Sequence, residues 1–323
     1  MTTPERGRDP SDLRAKFRGA LLGVGVGDGL GARLEGAVRV SGRELERIAS
    51  GTGTLRYTDD THMTIGVAES LLECGGFDGA RMAARFVQDF SAEPWRGYGA
   101  GPPRVFALLS RGVAWDQAGR TLFGGRGSFG NGAAMRVAPV ALFAFPDLDL
   151  TAELARRTAV ITHTHELGIE GAVLQAVAVG AALQRSPSAP LEPGPFLEQV
   201  RRHLRSRPFL EKLDLVGSLL EEGVTEGDVV SRLGNGIEAP ESVPTALFAF
   251  LGNATSFPAA VRYAIGLGGD TDTIGSMTGA LAGAYLGAKA IPQAWRDRLE
   301  GQDRLRDLAD ALWERVGGRW HPT

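Results

Sequence analysis

"GALLGVGVGDGLG", residues 19–31, spaces Gly19, Gly23, Gly27 and Gly31 four apart. Near the other end, "GSMTGALAGAYLG", residues 275–287, does the same with Gly275, Gly279, Gly283 and Gly287. Each glycine costs a helix about 1 kcal/mol relative to alanine. A row of them at i, i+4 leaves a smooth ridge that another backbone can approach closely. In a bilayer such a row would mark a dimerising span. Here Asp28, Glu35, Asp272 and Lys289 interrupt or flank the segments. The reading is therefore a soluble protein built on two central, tightly packed helices, with acidic residues beside both ridges.

Outward from the ridges, helical periodicity dominates. Helices are expected over about 12–30, 59–74, 78–91, 100–112, 132–145, 151–163, 166–185, 195–205, 209–222, 225–232, 241–253, 257–267, 271–289 and 292–315, the last broken. No alternating strand pattern of useful length occurs, so the fold class is all-α. "RSPSAPLEPGP" (Arg185 to Pro195) reads as an exposed loop. Because the two ridges draw the chain ends together, one domain over 12–318 is expected, preceded by a polar tail, 1–11.

The chain has 323 residues, 43% of them hydrophobic, enough for a large core. A net charge of −3 gives no global basic field for nucleic acid. The single cysteine, Cys74, excludes an internal disulfide, fits a reducing, cytoplasmic setting and is expected to be buried as a small hydrophobe. The N-terminal stretch lacks the apolar core of a signal peptide, and no stretch of about 18 apolar residues is free of charge, so no membrane partner is expected.

"YTDDTHM" (Tyr57 to Met63) and "GGDTDT" (Gly268 to Thr273) each place acids and threonines at the start of a helix. One such cluster is usually a cap. Two clusters, each with two carboxylates, exceed what caps need. Asp28, Glu35, Asp59, Asp60, Asp270 and Asp272 repel one another if gathered unpaired, and a divalent cation would resolve the conflict. The donors are hard oxygens, which favours Mg2+, Mn2+ or Ca2+ over Zn2+. Five or more carboxylates suffice for two ions.

"LFGGRGSFGNGAAMRVAPVAL" (Leu122 to Leu142) is a glycine loop running into a helix, a site for a phosphate or diphosphate. Phe123 and Phe129 flank it and either stack on a purine or anchor the loop. His163 and His165, two apart, are a poor metal pair; either hydrogen-bonds a phosphate or caps a helix.

Together, "GALLGVGVGDGLG", "YTDDT", "GSFGNGAAMR", "ITH" and "GLGGDTDTIGSMTGALAGA" resemble the ADP-ribosylglycohydrolase family, from about residue 19 to 287. Within it, "GDGLGARLE", "RGYGAG" and "LGNGIEAPESVPTAL" are most similar to the type-3 ADP-ribosylhydrolases. The resemblance implies an all-α fold around a dinuclear metal cleft, with two divalent cations, Mg2+ or Mn2+. It implies Thr58, Asp59, Asp60, Asp270, Asp272 and Thr273 as metal ligands, with Asp272 shared. Glu35 matches a metal-associated catalytic glutamate, and Asp59 joins it as a catalytic carboxylate. Arg126, Gly127, Ser128, Phe129, Gly130, Asn131 and Gly132 match the diphosphate and ribose cradle, with Phe123 at its edge. His163 matches a histidine beside the phosphates, and Ile237 an apolar contact to adenine. Phe129 stands where the type-3 enzymes have tyrosine, and "HTHE" replaces small residues after Thr162.

The resemblance thus implies a hydrolase that frees ADP-ribose from serine-modified proteins, with activity on poly(ADP-ribose) and O-acetyl-ADP-ribose. Direct reading of nucleic acid is not implied. Two alternatives stand beside it: an arginine-ADP-ribose hydrolase, against which Glu35 speaks, and a non-catalytic ADP-ribose binder, against which the intact acid set speaks.

Overall fold

The computed structural model describes residues 10–317. In chain order the helices are α1 (Pro10–Gly31), α2 (Gly42–Ala49), α3 (Asp59–Cys74), α4 (Gly79–Ala92), α5 (Gly101–Leu109), α6 (Ala138–Ala144), α7 (Leu148–Ala159) and α8 (Glu166–Leu183). They continue as α9 (Pro193–Arg201), α10 (Arg207–Glu222), α11 (Glu226–Leu233), α12 (Ala239–Gly252), α13 (Phe257–Gly266), α14 (Thr271–Leu286), α15 (Gln293–Arg298) and α16 (Gln302–Gly317). Among the described residues there is no strand, only isolated bridges at Leu55–Leu299 and Gly130–Glu238. The fold is all-α, as expected. The expected tail, 1–11, lies outside the described residues apart from Pro10 and Ser11, which open α1, as does Gly318 at the expected domain end.

The two glycine ridges meet. A Cβ on Gly19 would lie 2.2 Å from the Gly283 carbonyl oxygen, one on Gly23 2.1 Å from that of Gly279, and one on Gly27 2.0 Å from that of Gly275. The pairing runs antiparallel, so the C-terminal end of α1 lies beside the N-terminal end of α14. Only glycine permits so close a backbone approach. Other helices surround this pair. Helix α8 is long and apolar enough to cross a membrane by length and composition, but 83% of it is buried inside the fold. Its Gln175 Nε2 donates to the Met277 carbonyl of α14 at 3.0 Å, which fastens it to the central pair.

Some local expectations change. The helix expected over 132–145 is a 3-10 turn, Asn131–Ala133, followed by α6 after a break. The last expected helix is broken, as read from the sequence, at Leu299–Gly301, where Gly301 takes a positive φ of 64°. Helix α2 was not anticipated; it buries only Leu45 and Ala49, too small a stripe to register as a period. Cys74 is exposed rather than buried, because it ends α3 on the solvent side just before the left-handed cap at Gly75.

Candidate metal centre and ligand cleft

Helix α3 starts where Thr58 caps it, its Oγ1 accepting from the Asp60 N–H at 3.4 Å. The stronger fastening comes from α1. Asp28 is fully buried and its carboxylate accepts from the Thr58 N–H at 2.9 Å, the Thr61 N–H at 3.1 Å and the Thr61 hydroxyl at 2.6 Å. Its oxygens are thus committed to the free N–H groups of a helix start. This corrects the sequence reading, which placed Asp28 with the cation donors. Burial pushes its carboxyl up to about 6 against the pull of those hydrogen bonds.

The other carboxylates converge. Helix α1 stops at Gly31, so Asp28 and Glu35 do not share a helical face; Glu35 sits in the turn beyond. That turn is tied to the loop before α14: the Gly36 N–H donates to the Gly269 carbonyl and the Gly269 N–H to the Ala37 carbonyl, both at 2.8 Å. Glu35, Asp270 and Asp272 each present an oxygen, all within 4.8 Å of one another. The two helix starts also touch, as Thr273 Oγ1 donates to Asp60 Oδ1 at 3.3 Å. Thr58, Asp59, Asp60, Asp270, Asp272, Thr273 and Glu35 therefore line one region.

The charges bear on what the region holds. Burial, then Asp28, pushes the Asp59 carboxyl up to about 8. Burial, then neighbouring carboxylates, pushes Asp60 and Asp272 well above the usual range. Glu35 is raised by burial and by Asp270. Asp60 Oδ2 is buried with no hydrogen-bond partner. A buried acceptor left unpaired is costly, and carboxylates crowded this way are destabilised as anions. A hard divalent cation satisfies both conditions, and the all-oxygen donor set fits one.

The glycine loop lies against the same cluster. Asn131 Nδ2 donates to Asp270 Oδ2 at 2.5 Å and to Ser242 Oγ at 3.0 Å. The Asn131 N–H donates to the Ile237 carbonyl at 2.9 Å, and the Ala239 N–H to the Phe129 carbonyl at 3.0 Å. Gly127 has a positive φ of 74°, and a Cβ there would lie 2.2 Å from Thr164 Oγ1. The loop is thus pressed onto the "THTHE" segment. His163 is buried beside Gly132, with a Cβ on that glycine 3.0 Å from its Cε1. Its Nδ1 pairs with Thr162 Oγ1 at 2.7 Å, and burial, then Arg136, pushes its pKa down to about 3, so it stands neutral. His165 caps α8 through the Leu167 N–H and packs its ring 5.4 Å from that of Phe129. Ser128 Oγ accepts from the Gly130 N–H at 3.2 Å. Arg126 is exposed and turned back on its own loop, donating to the Phe123 carbonyl at 3.4 Å.

The large hydrophobic side chains exposed among the described residues are Val38, Trp95, Phe123, Phe129 and Ile237. Ile237 is the residue matched to an adenine contact, and Phe123 and Phe129 are the loop aromatics read as purine-stacking or loop-anchoring. Val38 belongs to the loop that follows Glu35. Trp95 precedes Gly97, whose added Cβ would stand 3.8 Å from Asp59 Oδ1. Sequence reasoning missed three neighbours of the site. Gly97 entered only as part of the "RGYGAG" motif, with no role at the site. Asn235 accepts the Asp270 N–H on its carbonyl at 2.8 Å. Arg136 is fully buried, packs on Phe86 and faces the field of Asp59; burial lowers its pKa to about 9, with Asp59 opposing. The signal for Arg136 was a lone cation within an apolar run.

An all-helical fold thus brings clustered acids, which fit a hard divalent cation, together with a glycine loop and exposed apolar side chains. The ADP-ribosylglycohydrolase family model matches residues 9–322. The mouse ADP-ribosylhydrolase ARH3 is 39% identical over 92% of this chain and 91% of its own. Its human counterpart is 38% identical over 92% and 93%. A solved structure described as an ADP-ribosylglycohydrolase-related protein complex superposes with a TM-score of 0.74 at 28% identity, covering 94% of this chain and 99% of that one. The chain belongs to the ADP-ribosylglycohydrolase family. The enzyme class expected of it, an ADP-ribosylhydrolase, stands with that membership.

Proposed function

We propose that this protein, acting as one domain in the cytoplasm, releases ADP-ribose from serine-ADP-ribosylated proteins and also accepts poly(ADP-ribose) and O-acetyl-ADP-ribose. The observation that carries the reading is the position of Glu35, whose carboxylate shares a 4.8 Å neighbourhood with Asp270 and Asp272. The likeness to the ARH3 proteins supports the substrate class.

Thr58, Asp59, Asp60, Asp270, Asp272, Thr273 and Glu35 would hold two divalent cations, Mg2+ or Mn2+. When bound, these ions would supply positive charge that orients the distal ribose hydroxyls. The chain does the rest. The loop Arg126–Gly132 holds the diphosphate through the N–H groups not already spent within the fold, those of Ser128, Phe129 and Gly132, and neutral His163 donates or accepts beside it without adding charge. Phe129, Phe123 and Ile237 cover the adenine with apolar surface. Holding both ends fixes the anomeric carbon near Glu35. Its carboxyl, raised by burial and Asp270, is suited to pass a proton to the leaving serine oxygen or to take one from the attacking water. Asp59 and the other acids stabilise positive charge developing on the ribose ring.

The test compares single-turnover hydrolysis of serine-ADP-ribosylated peptide with ADP-ribose affinity for Glu35→Gln. A rate loss of about 100-fold or more is expected, the usual scale for a general acid or base. ADP-ribose affinity should change far less. A wild-type rate in Glu35→Gln would overturn the catalytic role. Wild-type protein that cleaves only arginine linkages would overturn the substrate assignment, and one that binds without cleaving any linkage would make it a binder.

A further inference from the structure

A second cavity, of about 520 Å3, opens beside the C-terminal end of α1. Arg33, Arg47 and Arg298 line it, with Glu44 its sole acid. Arg298 is fixed in the wall. Its guanidinium donates to the carbonyls of Gly53 at 2.7 Å, Ala49 at 2.9 Å and Ile48 at 3.0 Å. Those acceptors are neutral, so the charge is not cancelled. Other arginines of the fold are matched: Arg14 and Arg18 share Asp310, and Arg96 pairs with Glu93 and Glu300. No ion pair among the described residues includes Arg33, Arg47 or Arg298. Burial, then the charge of Arg33, pushes the Arg298 guanidinium down from its ordinary value. Arg298 therefore feels Arg33, and like charges held around one concavity favour an anion between them.

The location links this cavity to the acid cluster. Arg33 and Leu34 lead directly into Glu35. Gly53, Thr54 and Leu55 lead, three residues on, into Thr58. The glycine loop reaches the same cluster by another route, through Asn131 and Asp270. The cavity wall and the glycine loop thus connect to the carboxylates through different segments of chain.

We propose that the Arg33–Arg47–Arg298 cavity is a second anion site that takes a diphosphate, and that on an ADP-ribose polymer it holds the diphosphate of the unit beyond the scissile linkage. Planar guanidinium forks suit phosphate oxygens, and a diphosphate brings enough charge for several of them. The polymer part rests on the hydrolase reading above; the anion site itself does not. On a polymer the leaving group is another ADP-ribose unit, so its diphosphate departs from the side where Glu35 acts. A mono-modified serine brings no such group and leaves the cavity unused.

Two measurements on the full chain test this. Arg33→Gln/Arg47→Gln alters two exposed side chains and leaves Arg298, which holds the end of α2, in place. In the first, pyrophosphate is titrated calorimetrically into metal-free protein. The double variant should bind one equivalent fewer than wild type. Equal stoichiometry and affinity would overturn the anion site. In the second, an ADP-ribose trimer and the monomer are titrated with Mg2+ present, on a Glu35→Gln background that slows turnover. The trimer should bind about tenfold more tightly than the monomer, and the arginine substitutions should erase that difference while leaving the monomer unchanged. A trimer advantage that survives them would overturn the polymer assignment, even if pyrophosphate binding is lost. Failure of monomeric ADP-ribose to bind would instead sink the hydrolase reading, and the pyrophosphate titration would still decide the anion site.

Discussion

Gly279→Ala puts the packing of the central pair to the test. Its Cβ would stand 2.1 Å from the Gly23 carbonyl oxygen, 1.3 Å short of the 3.4 Å at which ordinary contact begins. The obstacle is backbone on both sides, so no side chain can swing away. Helices α1 and α14 must part by about an ångström. A radial gap of about 0.5–1 Å already forfeits a quarter to a half of each dispersion contact. Overpacking of this kind costs about 1–3 kcal/mol or more, while alanine returns about 1 kcal/mol of helix propensity. With the lost contacts included, a net cost of about 3 kcal/mol is expected. At about 2.1 cal/mol/K per residue, 323 residues give an unfolding entropy near 0.7 kcal/mol/K, so the midpoint should fall by about 4 °C. Thermal and denaturant unfolding followed by circular dichroism reads this directly. Gly217→Ala in α10 is the control: its Cβ meets Leu197 Cδ1 at an ordinary 3.6 Å, so it should stabilise by up to about 1 kcal/mol. Gly279→Ala matching wild type, or Gly217→Ala falling as far, would refute the argument.

The carboxylate cluster has a pH signature. Asp28 and Asp59 are raised to about 6 and about 8, above their unfolded values, so their contribution is full at low pH and fades as pH rises through the folded values. Metal-free protein should lose stability from about pH 4 to pH 8, and Mg2+ or Mn2+ should restore it at the upper end; a flat profile in EDTA would contradict this. Asp272→Ala should abolish cation uptake in calorimetry yet raise the midpoint of the metal-free protein, since it removes one of the crowded anions. Phe129→Ala should weaken ADP-ribose binding by about 1–2 kcal/mol, and Phe129→Tyr should be nearly neutral. Unchanged affinity in Phe129→Ala would place the adenine elsewhere.

The parts of this architecture that the sequence revealed are those written as repetition. Glycines four apart announced the α1–α14 seam, and doubled acids at two helix starts announced the cluster. What stayed hidden depends on tertiary placement. Asp28 has the residue type and position of a ligand, and only the location of the α3 start makes it a cap instead. Glu35 reaches Asp270 because Gly36 and Gly269 are hydrogen-bonded across 233 positions of chain, which no local pattern encodes. Ile237 was named only through the family resemblance, because a lone apolar residue in a loop is by pattern indistinguishable from a core residue. Arg136 shows the converse: a charge within an apolar run that the fold buries completely.

The short segment Asn235–Ala239 works as a ruler. Its first carbonyl receives the Asp270 N–H, its Ile237 carbonyl receives the Asn131 N–H, and its Ala239 N–H reaches the Phe129 carbonyl. The end that carries Asp270 and the end that carries Phe129 are therefore spaced by this short segment, which bends at Gly236 and Ile237 before it enters α12. Lengthening or shortening this stretch by one residue would leave every acid and every aromatic in place in the sequence. It would nevertheless shift the span between them, and so the length of molecule that the cleft can grip at both ends.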